Sequence, residues 1–417
     1  MQKIIIEMKK LLPIIISICS LLSCENNSES ENTPIMNERT VIAYVSGENS
    51  LNSFVNFDLN EMQSGSTGLA SSDRLVAFVD KASTITKPYI IEFKEGRVDT
   101  IMQYKEDFLA SDPQQMHNII KEIEELYPSK EYGLVLWGHC TGWLVTKDTI
   151  AQARPFKAYG PDNGKNSETD FGAKWMNITQ VRSALHGLPK FKFIMGDCCC
   201  MMSIEAAYEL RNVTDYLIGS PAEIPADGAP YQTITKDLFL KSNDFYRQII
   251  DDYYDHYLKE YPKESDTIYL SGNSLPMSVI DMRYVGELAD ATRILLKAPN
   301  EFTFQGVPFY FCLDLPVMYD MSCLMEKNTT AEDFATWRRS FEKAVPYRRM
   351  SNKWLSIYSE LNKNMSSNSF IFNENTFGGV SMFVSKPEYN FSHYFLYNDG
   401  LKNFEWYRAV GWNRFEQ

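Results

Sequence analysis

Apolar residues along the chain cluster in short runs, and between the runs they recur at helical spacing. Residues 40–46 (TVIAYVS), 75–80 (LVAFVD), 88–93 (PYIIEF), 132–137 (YGLVLW), 191–195 (FKFIM) and 215–219 (DYLIG) have the length and β-branched or aromatic content of buried strands. Residues 51–63 place Leu51, Val55, Leu59 and Met62 on one helical face. Residues 113–127 do the same with Met116, Ile119, Ile120, Ile123 and Leu126. Further helices are predicted over 177–185, from about 202 to 210, over 231–257 in two pieces, and over 282–296 after the run 271–280. Strands alternating with helices predict an α/β fold whose mainly parallel sheet is covered on both faces. Such sheets gather reactive groups at the carboxyl ends of their strands. Two of those ends carry chemistry: Gly138-His139 after YGLVLW, and Gly196-Asp197 after FKFIM.

The pattern changes after Pro299. Short aromatic runs (302–311, 377–384) flank a helix over 331–345, which predicts a smaller α+β region over 299–417 beside a main domain over 40–298. Residues 146–175 hold few apolar side chains and many Asn, Asp, Gly and Lys, the pattern of a long surface loop open to cleavage. At the other end, Lys9-Lys10 precede the apolar run 11–22, which suits a signal sequence and is short for a membrane span. The run ends in Leu21-Leu22-Ser23-Cys24, which resembles a bacterial lipobox. The expectation is removal of residues 1–23, a lipid on the Cys24 thiol, and a flexible tether over 24–39. An ordinary secretory signal with a chance cysteine is the alternative, and both readings put the protein outside the cytoplasm, in the cell envelope if lipid-anchored.

A chain of 417 residues, 44% hydrophobic and 23% charged, has room for two or three domains and excludes global disorder. A net charge of −13 without a basic block argues against general nucleic-acid binding.

Of five histidines, His117, His186, His256 and His393 read as solvated or partner-satisfied. His139 differs, because it follows a buried strand in a turn continued by Cys140-Thr141-Gly142-Trp143. Beyond Cys24 six cysteines remain: Cys140, Cys198, Cys199, Cys200, Cys312 and Cys323, an even number that admits disulfides in an exported chain. No CxxC pair occurs, so no zinc ribbon, thioredoxin-like site or other metal set is expected. Cys199 lies just past a strand and ahead of a helix, where dipole and free N–H groups favour a thiolate. A nearby imidazole would complete a Cys/His dyad for acyl transfer. The competing readings are three small core thiols, or a redox-sensing vicinal disulfide within the triplet.

Residues 132–143 (YGLVLWGHCTGW) and 193–210 (FIMGDCCCMMSIEAAYEL) together resemble the clostripain family of cysteine endopeptidases. That family's pattern runs strand, W-x-H-G-x-G-W, strand, D-x-C-x-M-x-x-x-E-x-A-Y-E-L. The likeness extends to residues 40–62, 220–231 and 377–384 and to Trp406 and Trp412. The resemblance implies a caspase-like fold, with Cys199 as nucleophile and His139 as catalytic histidine. It implies an oxyanion site from the backbone N–H groups of Cys140 and Cys199. It further implies an S1 pocket lined by Asp197 and a second acid, Asp227 or its rival Glu223, hence protein or peptide substrates with Arg or Lys at P1. Asp197 also reads as a helix N-terminal anion. The chain departs from the pattern at Cys140, which replaces glycine, and at Met202, which replaces a small residue. Cys140 thereby becomes a candidate for an inhibitory or structural disulfide with the cysteine triplet. Loss of activity, leaving a surface binding protein on a caspase-like scaffold, is the alternative function. Maturation by cleavage at Lys147, Arg154, Lys157 or Lys165 is a further implication. The resemblance leaves calcium open, but no Asp-rich loop of recognisable ligand spacing is present and no cofactor is expected.

Overall fold

A computed structural model of the chain describes residues 36–145, 159–170, 172–260, 275–310, 316–350, 354, 376–391 and 396–416. Cys24 and the signal, Lys147, Arg154, Lys157, Cys312 and His393 lie outside the described residues. In chain order the strands are β1 (Asn37–Gly47), β2 (Asp73–Lys81), β3 (Tyr89–Lys94), β4 (Arg97–Gln103), β5 (Ser129–Trp137), β6 (Tyr159–Asp162), β7 (Lys174–Met176), β8 (Phe191–Asp197), β9 (Thr214–Gly219), β10 (Met277–Asp281), β11 (Tyr319–Asp320), β12 (Tyr347–Arg349) and β13 (Ser381–Met382). One large sheet takes nine of them in the order β12-β10-β9-β8-β5-β1-β2-β3-β4. Its centre, β9-β8-β5-β1-β2, is parallel, and antiparallel strands extend both edges. This is the predicted α/β architecture. β4 escapes the sequence pattern because it is an edge strand with mostly exposed, polar residues.

Alternation along β1 assigns its side chains to two cores. Val41, Ala43 and Val45 pack on one face with Val55, Leu59 and Met62 of α1 (Asn52–Gly65). Ile42 and Tyr44 pack on the other with Met116, Ile119, Ile120 and Ile123 of α2 (Pro113–Leu126). The α2 start is fixed by Asp112, whose carboxylate accepts from Gln114 N and Gln115 N, and by Pro113 at the first helical position. Leu126, expected on the same buried face, is exposed at the helix end.

The remaining helices that position the site are α3 (Ile178–Leu185), α4 (Ile204–Leu210), α5 (Tyr231–Ile234) and α6 (Tyr246–Glu260). The stretch expected as a surface loop, 146–175, is corrected over its described part. It carries β6, pairs with β7, and buries Tyr159 and Asp162 completely or nearly so. Few apolar residues were needed, because Asp162 is held by backbone N–H groups rather than by packing.

Residues from Met36 onward form one compact unit. The 299–417 region adds β12 to the main sheet beside β10, and Ser381 bridges to Ser203 ahead of α4. One tie across that junction is titratable. Glu205 is fully buried, its Oε1 accepts from Phe383 N at 2.8 Å, and its other oxygen has no partner. Burial pushes its pKa up from 4.5 to about 8. The folded state thus holds a proton that the unfolded chain releases near 4.5, so this stability is present at acid pH and lost as pH rises towards 8. Each pH unit climbed in that window costs about 1.4 kcal/mol. Glu205→Gln keeps the acceptor and removes the ionisation. Its melting temperature should decline less between pH 6 and 8 than that of the parent protein, as read by calorimetry.

Candidate active site

Register alone brings the two strand ends together. Trp137 of β5 is paired with Asp197 of β8 in a parallel ladder, and His139 and Cys199 each lie two residues further on. Adjacent strands are about 4.8 Å apart, so both residues leave the sheet side by side at its carboxyl rim. The chain leaves β1 towards β2 on one side, and leaves β5 towards β8 on the other. The crevice between β1 and β5 is thus a topological switch point, where such sheets bind ligands.

His139 is oriented from two sides. Its backbone carbonyl accepts from Gly160 N at 2.9 Å, which ties the turn to β6. Its Nε2 lies 2.8 Å from Ser50 Oγ, and that hydroxyl donates to Asp170 Oδ2 at 2.7 Å. Because the Ser50 proton is committed to Asp170, Ser50 accepts from Nε2–H, and Nδ1 becomes the basic nitrogen. Asp170 also accepts from Ser50 N at 3.1 Å, and the Trp175 ring lies 6.1 Å from the imidazole. Desolvation pulls the His139 pKa below 6.5, and the Asp170 charge works against that shift. Ser50 and Asp170 are 120 residues apart and belong to no motif, so neither is recognisable before the chain folds.

The triplet divides by exposure. Cys198 and Cys200 are buried core thiols, as the bland reading expected, whereas Cys199 is half-buried. Cys200 adopts a left-handed φ of 58°, rare for a non-glycine residue, which turns the chain sharply after Cys199. Gly142 interlocks with that turn: its φ is +60°, and a Cβ there would stand 2.4 Å from the Cys200 carbonyl oxygen. Cys199 Sγ accepts from Ile224 N at 3.4 Å. Burial and then the charge of Glu223 drive its pKa well up, so the resting group is a thiol. The expected help from a helix dipole does not operate: α4 begins at Ile204, capped by Ser203, too far along to favour a thiolate at Cys199. Among the described residues, no hydrogen bond joins His139 to Cys199.

Cys140 is compatible with its turn. It is not among the described residues with positive φ, so glycine is not required there. Its side chain is buried in the core, where Sγ accepts from Gly142 N at 3.3 Å. Cys140, Cys198, Cys199, Cys200 and Cys323 are all free thiols, so the disulfides considered for Cys140 and for the triplet are not formed.

Asp197 is 3% exposed and clamped. Oδ2 accepts from Tyr231 Oη at 2.6 Å and Ala229 N at 3.2 Å, and Oδ1 from Tyr253 Oη at 2.9 Å. Buried Asp58 is close by and takes the indole N–H of Trp137. Burial first, then the Asp197 charge, pushes Asp58 up to about 9. A Cβ on Gly228 would sit 2.9 Å from Asp58 and 3.1 Å from Asp197, so only glycine fits between them. Glu61, which accepts from Tyr231 N, is raised by burial and feels both Asp197 and Asp227. Asp227 itself is exposed, whereas Glu223 is nearly buried and close enough to Cys199 to act on it. The sequence did carry a signal for Asp58: it interrupts the apolar face of α1 between Val55 and Met62.

No curated protein matches the chain. Among solved structures, a secreted C11 cysteine protease from Bacteroides thetaiotaomicron, in complex with an irreversible peptide inhibitor, is 29% identical with a TM-score of 0.74. The match covers 90% of this chain and 99% of that one. An inactive zymogen C11 protease from Parabacteroides distasonis is 28% identical with a TM-score of 0.71, over 90% and 98% of the two chains. The model of the clostripain family matches residues 43–414. The family match over most of the chain and the likeness of fold agree, and the chain belongs to the clostripain family of C11 cysteine peptidases.

Proposed function

We propose that the protein is a lipid-anchored, extracytoplasmic endopeptidase that cleaves after Arg or Lys, with Cys199 as nucleophile and His139 as acid–base group. The observation that carries the assignment is the register of β5 and β8, from which both residues emerge two positions beyond a paired Trp137 and Asp197. In the resting enzyme the sulfur is protonated. As substrate binds, the Cys199 proton passes to His139 Nδ1, and the sulfur attacks the scissile carbonyl. The backbone N–H groups of Cys140 and Cys199 stabilise the oxyanion. The imidazolium, with its Nε2–H held by Ser50, then gives its proton to the leaving amine. In deacylation neutral His139 removes a proton from water, and the thiol leaves protonated.

The basic P1 preference rests on Asp197 and Asp227, with Glu61 beside them; Asp58, pushed up to about 9, is neutral near pH 7 and contributes no charge. Asp197 supplies negative charge from behind the two tyrosines, and exposed Asp227 supplies the direct contact; Glu223 is the rival for that contact. Fluorogenic peptides with Arg, Lys, Asp or Ala at P1 test the reading under reducing conditions. Cleavage after Arg or Lys alone is expected. Asp227→Asn should lower kcat/KM for the Arg substrate about 10- to 100-fold, the worth of one charge-assisted contact. An undiminished rate moves the role to Glu223. No turnover with any peptide, even after brief trypsin treatment, would favour the non-catalytic binding protein instead. Among the basic residues considered for maturation, Lys165 is the described one, and its backbone N donates to Glu48. The lipid anchor is checked separately: palmitate labelling of the full chain in cells should disappear in Cys24→Ala.

A further inference from the structure

The 299–417 region holds a pocket of about 430 Å³ that the mechanism does not use, and none of its lining residues belongs to the site of His139 and Cys199. It opens between the turn Pro387–Phe391, the short helices Tyr397–Leu401 and Glu405–Ala409, and the turn Trp412–Phe415. A volume of this order suits a small ligand. Tyr389, Tyr407 and Trp412 wall it; they are 2%, 7% and 2% exposed, so packing fixes their rings and presents their rims. Asn398 stiffens one side. Its Nδ2 donates to Lys386 O at 2.7 Å and to Asn390 Oδ1 at 2.6 Å, and its Oδ1 accepts from Ser385 Oγ at 2.6 Å.

The polar lining alternates in sign. Lys402 Nζ stands 3.5 Å from Asp399 Oδ1 and 3.4 Å from Glu416 Oε1. Glu416 Oε1 also accepts from Tyr407 Oη at 2.6 Å, which holds that carboxyl below its usual range and keeps it an anion. Each carboxylate spends one oxygen in these contacts and keeps the other for a ligand. Asn390 spends its Oδ1 on Asn398 and offers its N–H groups.

We propose that this pocket binds a neutral sugar residue of a glycan. A hydroxyl group is donor and acceptor at once, so adjacent sugar hydroxyls accept from Lys402 or Asn390 while donating to Asp399 or Glu416. The C–H faces of the sugar pack on the aromatic rims. Charge disfavours the rivals. An anionic ligand meets two carboxylates around a single ammonium. A basic peptide has to displace Lys402 from both carboxylates before it can pair with either. A neutral polyol leaves every ion pair in place.

The pocket is tied by backbone to the turn that bears His139. Leu396, on its wall, donates from N to Val145 O at 2.9 Å. For a cysteine peptidase such a pocket is an exosite: a protein carrying the sugar is held at two points, which raises the effective concentration of its chain at the crevice. Sugar binding itself does not depend on His139 or Cys199, so the test avoids turnover.

The experiment uses the full chain carrying Cys199→Ala, read by saturation-transfer NMR and calorimetry. N-acetyllactosamine represents the glycans of glycoproteins, and maltose and cellobiose represent polysaccharides. Saturable binding of at least one of them, at one site per chain, is expected, and the responding probe tells the source. Sialylated N-acetyllactosamine and oligolysine should bind more weakly. Lys402→Ala and Asp399→Asn should each weaken binding about tenfold or more, the worth of one charge-assisted hydrogen bond. Both side chains are about half exposed or more, so the fold should stand, and an unchanged melting temperature checks it. No binding of any neutral disaccharide would overturn the proposal, as would tighter binding of the sialylated sugar or of oligolysine. Binding undiminished in both variants would place the sugar elsewhere and overturn it equally.

Discussion

Cys199→Ala should reduce kcat by about four orders of magnitude or more while leaving the fold intact. Loss of a covalent nucleophile removes the acyl-enzyme route altogether, and only background hydrolysis in the cleft remains. The fold should survive because Cys199 is the half-buried member of the triplet and its thiol makes weak contacts to the Ile224 backbone. Cys198 and Cys200 are buried, and neither can replace the missing sulfur. A peptidyl-Arg electrophile should label the parent protein irreversibly at one cysteine, found by peptide mass mapping to be Cys199. Labelling at Cys140 or Cys198, or turnover surviving in Cys199→Ala, would sink the assignment.

His139→Ala should lower kcat/KM by about 10²- to 10⁴-fold, the usual worth of a positioned acid–base group. A pH profile makes the test specific. In the proposed mechanism the active form holds neutral His139 against a protonated Cys199, so activity falls as acid protonates the imidazole. Burial lowers the His139 pKa, so the midpoint of the acid limb should lie below 6.5. Asp170 opposes that shift, since its charge favours the imidazolium. Asp170→Asn removes the opposition and should move the acid limb to still lower pH. A limb that stays put, or moves upward, would mean that the limb does not report His139.

Buried strands were legible because burial on both faces leaves an unbroken apolar run, as in β1, β5 and β8. The same logic fails at β4, where one exposed edge gives a polar sequence, and at β6, where an acid is buried by hydrogen bonds. His139 and Cys199 stood out because a motif lies at each strand end. Ser50 and Asp170 could not, since their partnership exists only once β1 and the segment after β6 meet at the sheet rim. Cys140 looked like an obstacle in the linear pattern. The fold turns its thiol inward and leaves its backbone in an ordinary conformation. The dipole argument for Cys199 misled because α4 starts later than the apolar pattern suggests, and desolvation outweighs what dipole remains.

The seam between Met202–Glu205 and the strand at Ser381 bears on the order of biosynthesis. Ser381 N bonds to Met202 O at 2.9 Å, Phe383 N reaches Glu205 across 178 residues, and Phe383 packs on Trp143 with ring centroids 4.6 Å apart. The turns bearing the candidate histidine and cysteine are therefore braced from behind by a stretch 178 residues beyond Glu205. A nascent chain has no such brace until that later stretch has also left the ribosome, and contacts of that separation close last. Assembly of the candidate site thus waits for the stretch around Ser381 and Phe383, and a copy terminated before it lacks the back wall of both turns.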